Sequence, residues 1–215
     1  MRSLGRVTRL NTNFFNRDPR QVARALLGKL LVRNSPTAIL AGRIVETEAY
    51  LGNDDAAAHT AAGKTPRNAV LFGPPGLAYV YFIYGAHFCL NVSCLPAGVP
   101  GGVLFRALEP LAGIDQMAAA RGIAIECAEK SGLAKLSSLK KISSGPGRLA
   151  EAFSITRPRD NGKSLVSPRS DLHIVDDGYR VRQVTVTPRI GITKSAARPL
   201  RYFIAGNPFV SGRRL

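Results

Sequence analysis

The run LAYVYFIYG at residues 77–85, followed by AHFCLNVS, constrains the fold more than any other part of the chain. Residues 77–84 are apolar, β-branched or aromatic, the chemistry that fits a pleated surface. Gly85-Ala86 matches the first-glycine form of a tight two-residue turn, so His87–Ser93 is expected to return antiparallel beside the first strand. A hairpin of this kind builds a sheet by local reversal rather than by helical crossover. The run also concentrates rings: three of the six tyrosines, Tyr79, Tyr81 and Tyr84, fall in it, and the chain has no tryptophan. It is either an ordinary buried strand or a surface that stacks on something flat.

The remaining pattern extends the same architecture. DPRQVARALLG reads as a helix with Asp18 as N-cap, Pro19 at the first position and Gly28 as the stop. Lys29–Arg33 is a short predicted strand, ended by Pro36, and Ala38–Tyr50 a longer one. After the loop LPAGVPGG come a strand at Val103–Ala107, helices at 111–121 and 123–141, and a short helix in SSGPGRLAEAF. Asp171–Pro188 is expected to form a hairpin around Asp176-Asp177-Gly178, and Leu200–Ile204 a last strand. Strands dominate and helices are interspersed irregularly, which predicts an α+β fold. It is expected to be a single mixed domain, 1–215, on a mostly antiparallel curved sheet with a protruding β-hairpin.

Charge narrows the function. Lys and Arg number 30 against 14 Asp and Glu, a formal +16 with a pI near 10.6, and Arg outnumbers Lys. Forked arginine contacts suit phosphate, so a polyanion is the expected partner, with nucleic acid ahead of anionic lipid. No apolar run reaches the length of a membrane span, and the N-terminus lacks the apolar core of a secretory signal, so a cytoplasmic protein is expected. Three cysteines without a C-x-x-C pair argue against disulfides or an iron–sulfur site, and three scattered histidines against a metal centre. Phosphate-loop, nucleophile-elbow and zinc-deaminase patterns are absent. No metal and no cofactor are expected.

The candidate chemistry lies on two strands. In GRIVETEAY, alternation puts Glu46, Glu48 and Tyr50 on one face. Each glutamate could be a solvent-facing partner of an arginine, the blander reading, or a general base beside a stacking platform. Tyr79 reads as a core residue and Tyr81 divides evenly between core and site. Tyr84, beside the turn, reads as an exposed wedge able to fill the space of an extruded base.

These motifs resemble a known family. GRIVETEAYLGNDDAAAHTAAGKTPRN, YVYFIYGAHFCLNVS, VLFRALEPLAG, SSGPGRLAEAF and RIGITKSAARPLRYFI, in that order from about Leu10 onward, are similar to the alkyladenine (3-methyladenine) DNA glycosylases. The resemblance implies a monofunctional glycosylase of base excision repair. Such an enzyme flips alkylated purines, with hypoxanthine and ethenoadenine as further candidates, out of duplex DNA and hydrolyses the N-glycosidic bond. By motif, Glu48 corresponds to the general base that activates water and Tyr50 to one wall of the base pocket. His59 and Tyr81 match its other side, Asn91 a residue disfavouring the 2-amino group of guanine, Arg106 a pocket arginine and Tyr84 the intercalating wedge. Glu46 corresponds to no catalytic residue. His87 departs from the tyrosine usual there, and the loop before TPRN is a residue shorter. The implied partner is double-stranded DNA with a damaged purine, bound by a monomer, on the nucleoid in a prokaryote. A non-catalytic nucleic-acid binder is the alternative.

Overall fold

A two-residue strand β1 (Thr8–Arg9) and one helical turn α1 (Thr12–Phe15) lead into helix α2 (Pro19–Leu26). The structure, a computed structural model, describes residues 7–83, 85–127 and 134–212. The Asp18 carboxylate accepts a hydrogen bond from the Arg20 N–H at 2.8 Å, and Pro19 sits where no N–H is needed. Val22, Ala23 and Leu26 face the core. Gly28 stops the helix with φ +85°, a left-handed conformation, and a Cβ there would meet Val181 at 2.9 Å.

Strands β2 (Leu30–Asn34) and β3 (Ile39–Tyr50) follow, then β4 (Ala78–Ile83), β5 (His87–Ser93) and β6 (Gly102–Ala112). Ile83 pairs with His87, so the hairpin connection spans three residues, 84–86, rather than the expected two. Ala86 N–H donates to Ile83 O and Gly85 takes φ +65°, which suits the left-handed position of a three-residue loop. Strand β6 exceeds the expected Val103–Ala107 because it pairs along most of β3.

Helices α3 (Ile114–Ala120), α4 (Leu136–Ser143), α5 (Pro146–Ala152) and α6 (Arg157–Asp160) come next, then strands β7 (Leu172–Asp176), β8 (Val184–Thr187) and β9 (Arg201–Ile204). The helix expected over 123–141 is confined to α4 within the described part. Gly122 at φ +61° ends α3, and Glu126 N–H turns back to the Ser138 hydroxyl instead of continuing a helix. The hairpin expected over 171–188 does not form. β7 pairs with β2 and β1, while β8 pairs with β9. The two aspartates accept local bonds from Gly178 and Tyr179 N–H and also bind Lys29 at 2.6 Å and Arg43 at 2.9 Å respectively.

Among the described residues all nine strands join one open sheet, and every pairing between them is antiparallel. The order is β1-β7-β2-β3-β6-β5-β4, with β9 on β3 and β8 beyond it. The α+β expectation holds. β3 is the hub, with β6 along one side and β2 then β9 along the other. α2 covers one face of β3, where the buried Thr47 hydroxyl donates to Ala23 O. Phe15, Leu31, Ile44, Phe105, Leu108 and Phe153 are fully buried in the continuous core, each contributing about 1.5–3 kcal/mol. No helix among the described residues is long and apolar enough to cross a membrane.

The outer edge of β4 is covered by residues 160–163. Gly162 N–H donates to Ala78 O, Ala78 N–H to Lys163 O, and Val80 N–H to the Asn161 side chain. An ion network pins this segment: buried Arg33 binds Asp160 at 2.9 Å and Asp171 at 2.9 Å, and Lys163 bridges both carboxylates. Burial alone would raise the Asp171 carboxyl, but Lys163, Arg33 and Arg159 hold it at about 2. The unfolded chain has an ordinary aspartate near ~3.9, so the Asp171 contribution is complete above that value and disappears as pH falls towards 2. Asp171→Asn should therefore lower stability in urea unfolding at pH 7 and leave it unchanged near pH 2. A variant as stable as the parent at pH 7 would remove the network from the account.

Candidate active site

Register assembles the site. Across the sheet, Tyr79 on β4 pairs with Asn91 on β5, Asn91 with Leu104 on β6, and Leu104 with Glu48 on β3. Alternation places Tyr81, Cys89, Arg106 and Tyr50 on the same face. Two register shifts between β3 and β6 skip Val45 on one strand and Arg106 on the other. Arg106 is thus a bulged residue without a paired Cα, free to turn towards β3.

There it bridges two buried carboxylates. Its Nη1 lies 3.2 Å from Glu48 Oε1 and its Nε 3.0 Å from Glu46 Oε1. Both glutamates are fully buried, so the solvent-facing reading is corrected: Arg201, from the neighbouring strand β9, and Ser211 close on Glu46, and Tyr50 and the Ile190 N–H on Glu48. Glu46 is saturated by Arg106, by Arg201 Nε at 2.6 Å and by Ser211 N–H at 2.6 Å. Glu48 accepts from the Tyr50 hydroxyl at 3.0 Å and from Ile190 N–H at 2.8 Å. Burial raises the Glu48 pKa, opposed by Arg106, Ile190 N–H and the Tyr50 hydroxyl. Burial draws the Arg106 pKa down, but Glu48 and Glu46 outweigh it and leave the value raised.

Above this pair opens a cleft of about 690 Å³. Tyr50, Arg106 and Ile190 line it. Glu48 does not, and sits one layer behind its three partners. An aromatic cluster forms a wall: the His59 ring meets Tyr81 edge-on at 4.4 Å, and His59 Nδ1 lies 2.8 Å from the Tyr79 hydroxyl. Burial, then Arg67, lowers the His59 pKa, so the neutral imidazole prevails at pH 7. Burial pushes Cys89, opposite Tyr81, up to about 11, which keeps it a thiol. Asn91 donates to Tyr79 O at 3.3 Å. Arg121, His87 and the start of α5 line it as well.

Tyr50, His59, Tyr81, Asn91 and Arg106 therefore line one cleft with Glu48 behind its floor; Tyr84 lies outside the described residues. Tyr79 is 1% exposed, as a core residue would be, yet its hydroxyl orients His59. Sequence reasoning missed Asp55, Arg189, Arg201, Ser211 and the Ile190 N–H. The first two form a buried ion pair at 2.5 Å, against the back of the site. RIGI and GNDD stood within the motifs, but nothing in either says they meet. Among the described residues no group of three or more His, Cys, Asp or Glu side chains could hold a metal ion.

The family model described as methylpurine-DNA glycosylase matches residues 13–208. The chain belongs to that family. A relative from Koribacter versatilis, provisionally named 3-methyladenine DNA glycosylase, is 66% identical over 212 residues, 99% of this chain and 97% of its own. Similarly named relatives from Burkholderia cenocepacia and Methanocella arvoryzae are 46% and 42% identical, over 93% and 95% of this chain and 89% and 96% of theirs. A methylpurine-DNA glycosylase family member is a hydrolase acting on N-glycosyl bonds, an enzyme of DNA repair.

Arg106→Gln in this glycosylase removes the ion pair from Glu48, which keeps only the Tyr50 and Ile190 hydrogen bonds, while Glu46 retains Arg201 and the Ser211 N–H. Stability should fall by about 3–5 kcal/mol, and the Glu48 pKa should rise further. Carbon-13 NMR titration of the carboxyl measures the second effect, and an unmoved titration would contradict the assigned electrostatics.

Proposed function

We propose that this glycosylase captures a damaged purine rotated out of duplex DNA and releases it with a water activated by Glu48. The observation that carries the reading is a buried carboxylate, held by Arg106, Tyr50 and a backbone N–H, behind a cleft walled by Tyr50, His59 and Tyr81. A general base must be ionised to accept a proton, and a raised pKa brings its basicity closer to neutral pH. Glycoside hydrolysis usually employs two carboxylates. Here Glu46 is fully occupied, which leaves one. One suffices for an alkylated purine, because a base already carrying positive charge departs without protonation. Glu48 then orients the water and stabilises the oxocarbenium-like sugar.

Extruding the nucleotide costs a few kcal/mol, least at a damaged pair. Stacking at roughly 1–3 kcal/mol per aromatic contact is of the size to offset it. Tyr50 on one side, with His59 and Tyr81 on the other, would hold the base, and Asn91 would disfavour the 2-amino group of guanine. Tyr84, the residue before Gly85, would occupy the vacated stack. No lysine lines the cleft among the described residues, which favours simple hydrolysis over a Schiff base. The +16 charge supports binding through phosphates with little sequence preference, by a monomer acting where the DNA is, in the cytoplasm and on the nucleoid of a prokaryote.

Glu48→Gln should lower single-turnover base release roughly 10²–10⁴-fold while retaining affinity for lesion DNA. Release at the parental rate would overturn the assignment, and joint loss of binding and release would favour a structural role. In the parent, release should decline as pH falls through the raised Glu48 pKa, since the ionised form is the active one. Affinity measured across a salt series should drop steeply, with log K linear in log salt. A flat response would contradict phosphate-driven binding.

A further inference from the structure

The Asp55–Arg189 pair lies outside the roles assigned so far, yet it touches three parts of the cleft. Arg189 Nη1 donates to Asp55 Oδ2 at 2.5 Å and Nη2 to Oδ1 at 2.7 Å, a two-pronged contact in which both side chains are fully buried. Nη1 also donates to Ala49 O at 2.9 Å, and the guanidinium stacks 4.5 Å from the Tyr50 ring centre. Asp55 in turn accepts from the N–H groups of Leu51 and Ala57, fixing the loop that carries His59. The residue after Arg189 is Ile190, whose N–H donates to Glu48.

We infer that Arg189, clamped by Asp55, is a positioning residue that holds the Ile190 N–H on Glu48 and the Tyr50 ring at the wall of the cleft. A lone surface contact could not do this. The clamp crosses from the end of β3 to the segment after β8, so the relative placement of Glu48 and its backbone donor depends on it. The inference rests on Glu48 as the water-activating base. Displacement of catalytic groups by about 1 Å can cost roughly 10²-fold in rate without loss of binding.

The groups facing Glu48 are Arg106, Tyr50, Glu46 and Cys89, and its Ile190 hydrogen bond favours the carboxylate. Loosening the clamp removes that bond, so the acid limb of the release profile must move to higher pH. Two variants probe this. Arg189→Lys keeps the charge but loses the fork. Asp55→Asn with Arg189→Gln removes both charges together and strands neither.

With DNA treated by a methylating agent, single-turnover release of methylpurine is measured across pH beside thermal melting and DNA affinity. Both variants should bind as the parent does, release base roughly 10²-fold more slowly at pH 7, and regain part of the loss at higher pH. An acid limb at the parental pH, with only a lowered melting temperature, overturns the positioning role. Glu48→Gln in the same assay separates the two ideas. If it releases base normally, the base assignment fails and takes this inference with it. If it is inactive while the acid limb of the Arg189 variants stays put, only the clamp fails.

Discussion

Everything at this site depends on one guanidinium shared by two buried carboxylates. Removing either Glu46 or Glu48 from water is costly, and a pair of like charges on one strand face is costlier still. Arg106 makes the arrangement tolerable because its planar fork presents separate N–H groups to each glutamate. Arg201 and Ser211 complete the shell of Glu46, so one carboxylate becomes structural and inert while its neighbour keeps an edge towards Tyr50 and Ile190. The bulge at Arg106 is what permits this. In regular pairing that side chain would stand perpendicular to the sheet.

From this follows a division of labour along β3. Its first half pairs with β2 as an ordinary sheet interior, and its second half, between β6 and β9, is buried on both faces. α2 packs the odd positions, and the polar site occupies the even ones. The cleft is therefore built on a strand paired along both edges, while loops and the start of α5 also line it.

Much of this was legible in the chain itself. The hairpin announced its two strands through aromatic and β-branched runs on either side of Gly85, and α2 its start through Asp18-Pro19. Alternation grouped Glu46, Glu48 and Tyr50 correctly. It could not tell that this face is closed off, because Glu46 is enclosed by the Arg201 side chain and the Ser211 N–H, which arrive from more than 150 residues away. Asp55 and Arg189 stayed invisible for the same reason, being 134 residues apart. The hairpin expected at 171–188 failed for a different one. Asp176 and Asp177 do accept local bonds from Gly178 and Tyr179 N–H, but both edges of β7 are taken by β1 and β2, so β8 pairs with β9 instead. Motif resemblance reached further than pattern, since it named residues of the cleft that periodicity alone left ambiguous.

The sealing of β4 by residues 160–163 has a consequence for the molecule in a crowded cell. A terminal strand with open N–H and C=O groups invites a second chain to add itself, the first step towards fibrils. Here the N–H and C=O of Ala78 and the N–H of Val80 already have intramolecular partners, and the covering segment is riveted by Asp160 to an arginine in the interior. The half-exposed Phe82 further along the same strand can thus face solvent while the first part of that edge is closed to pairing with a second copy.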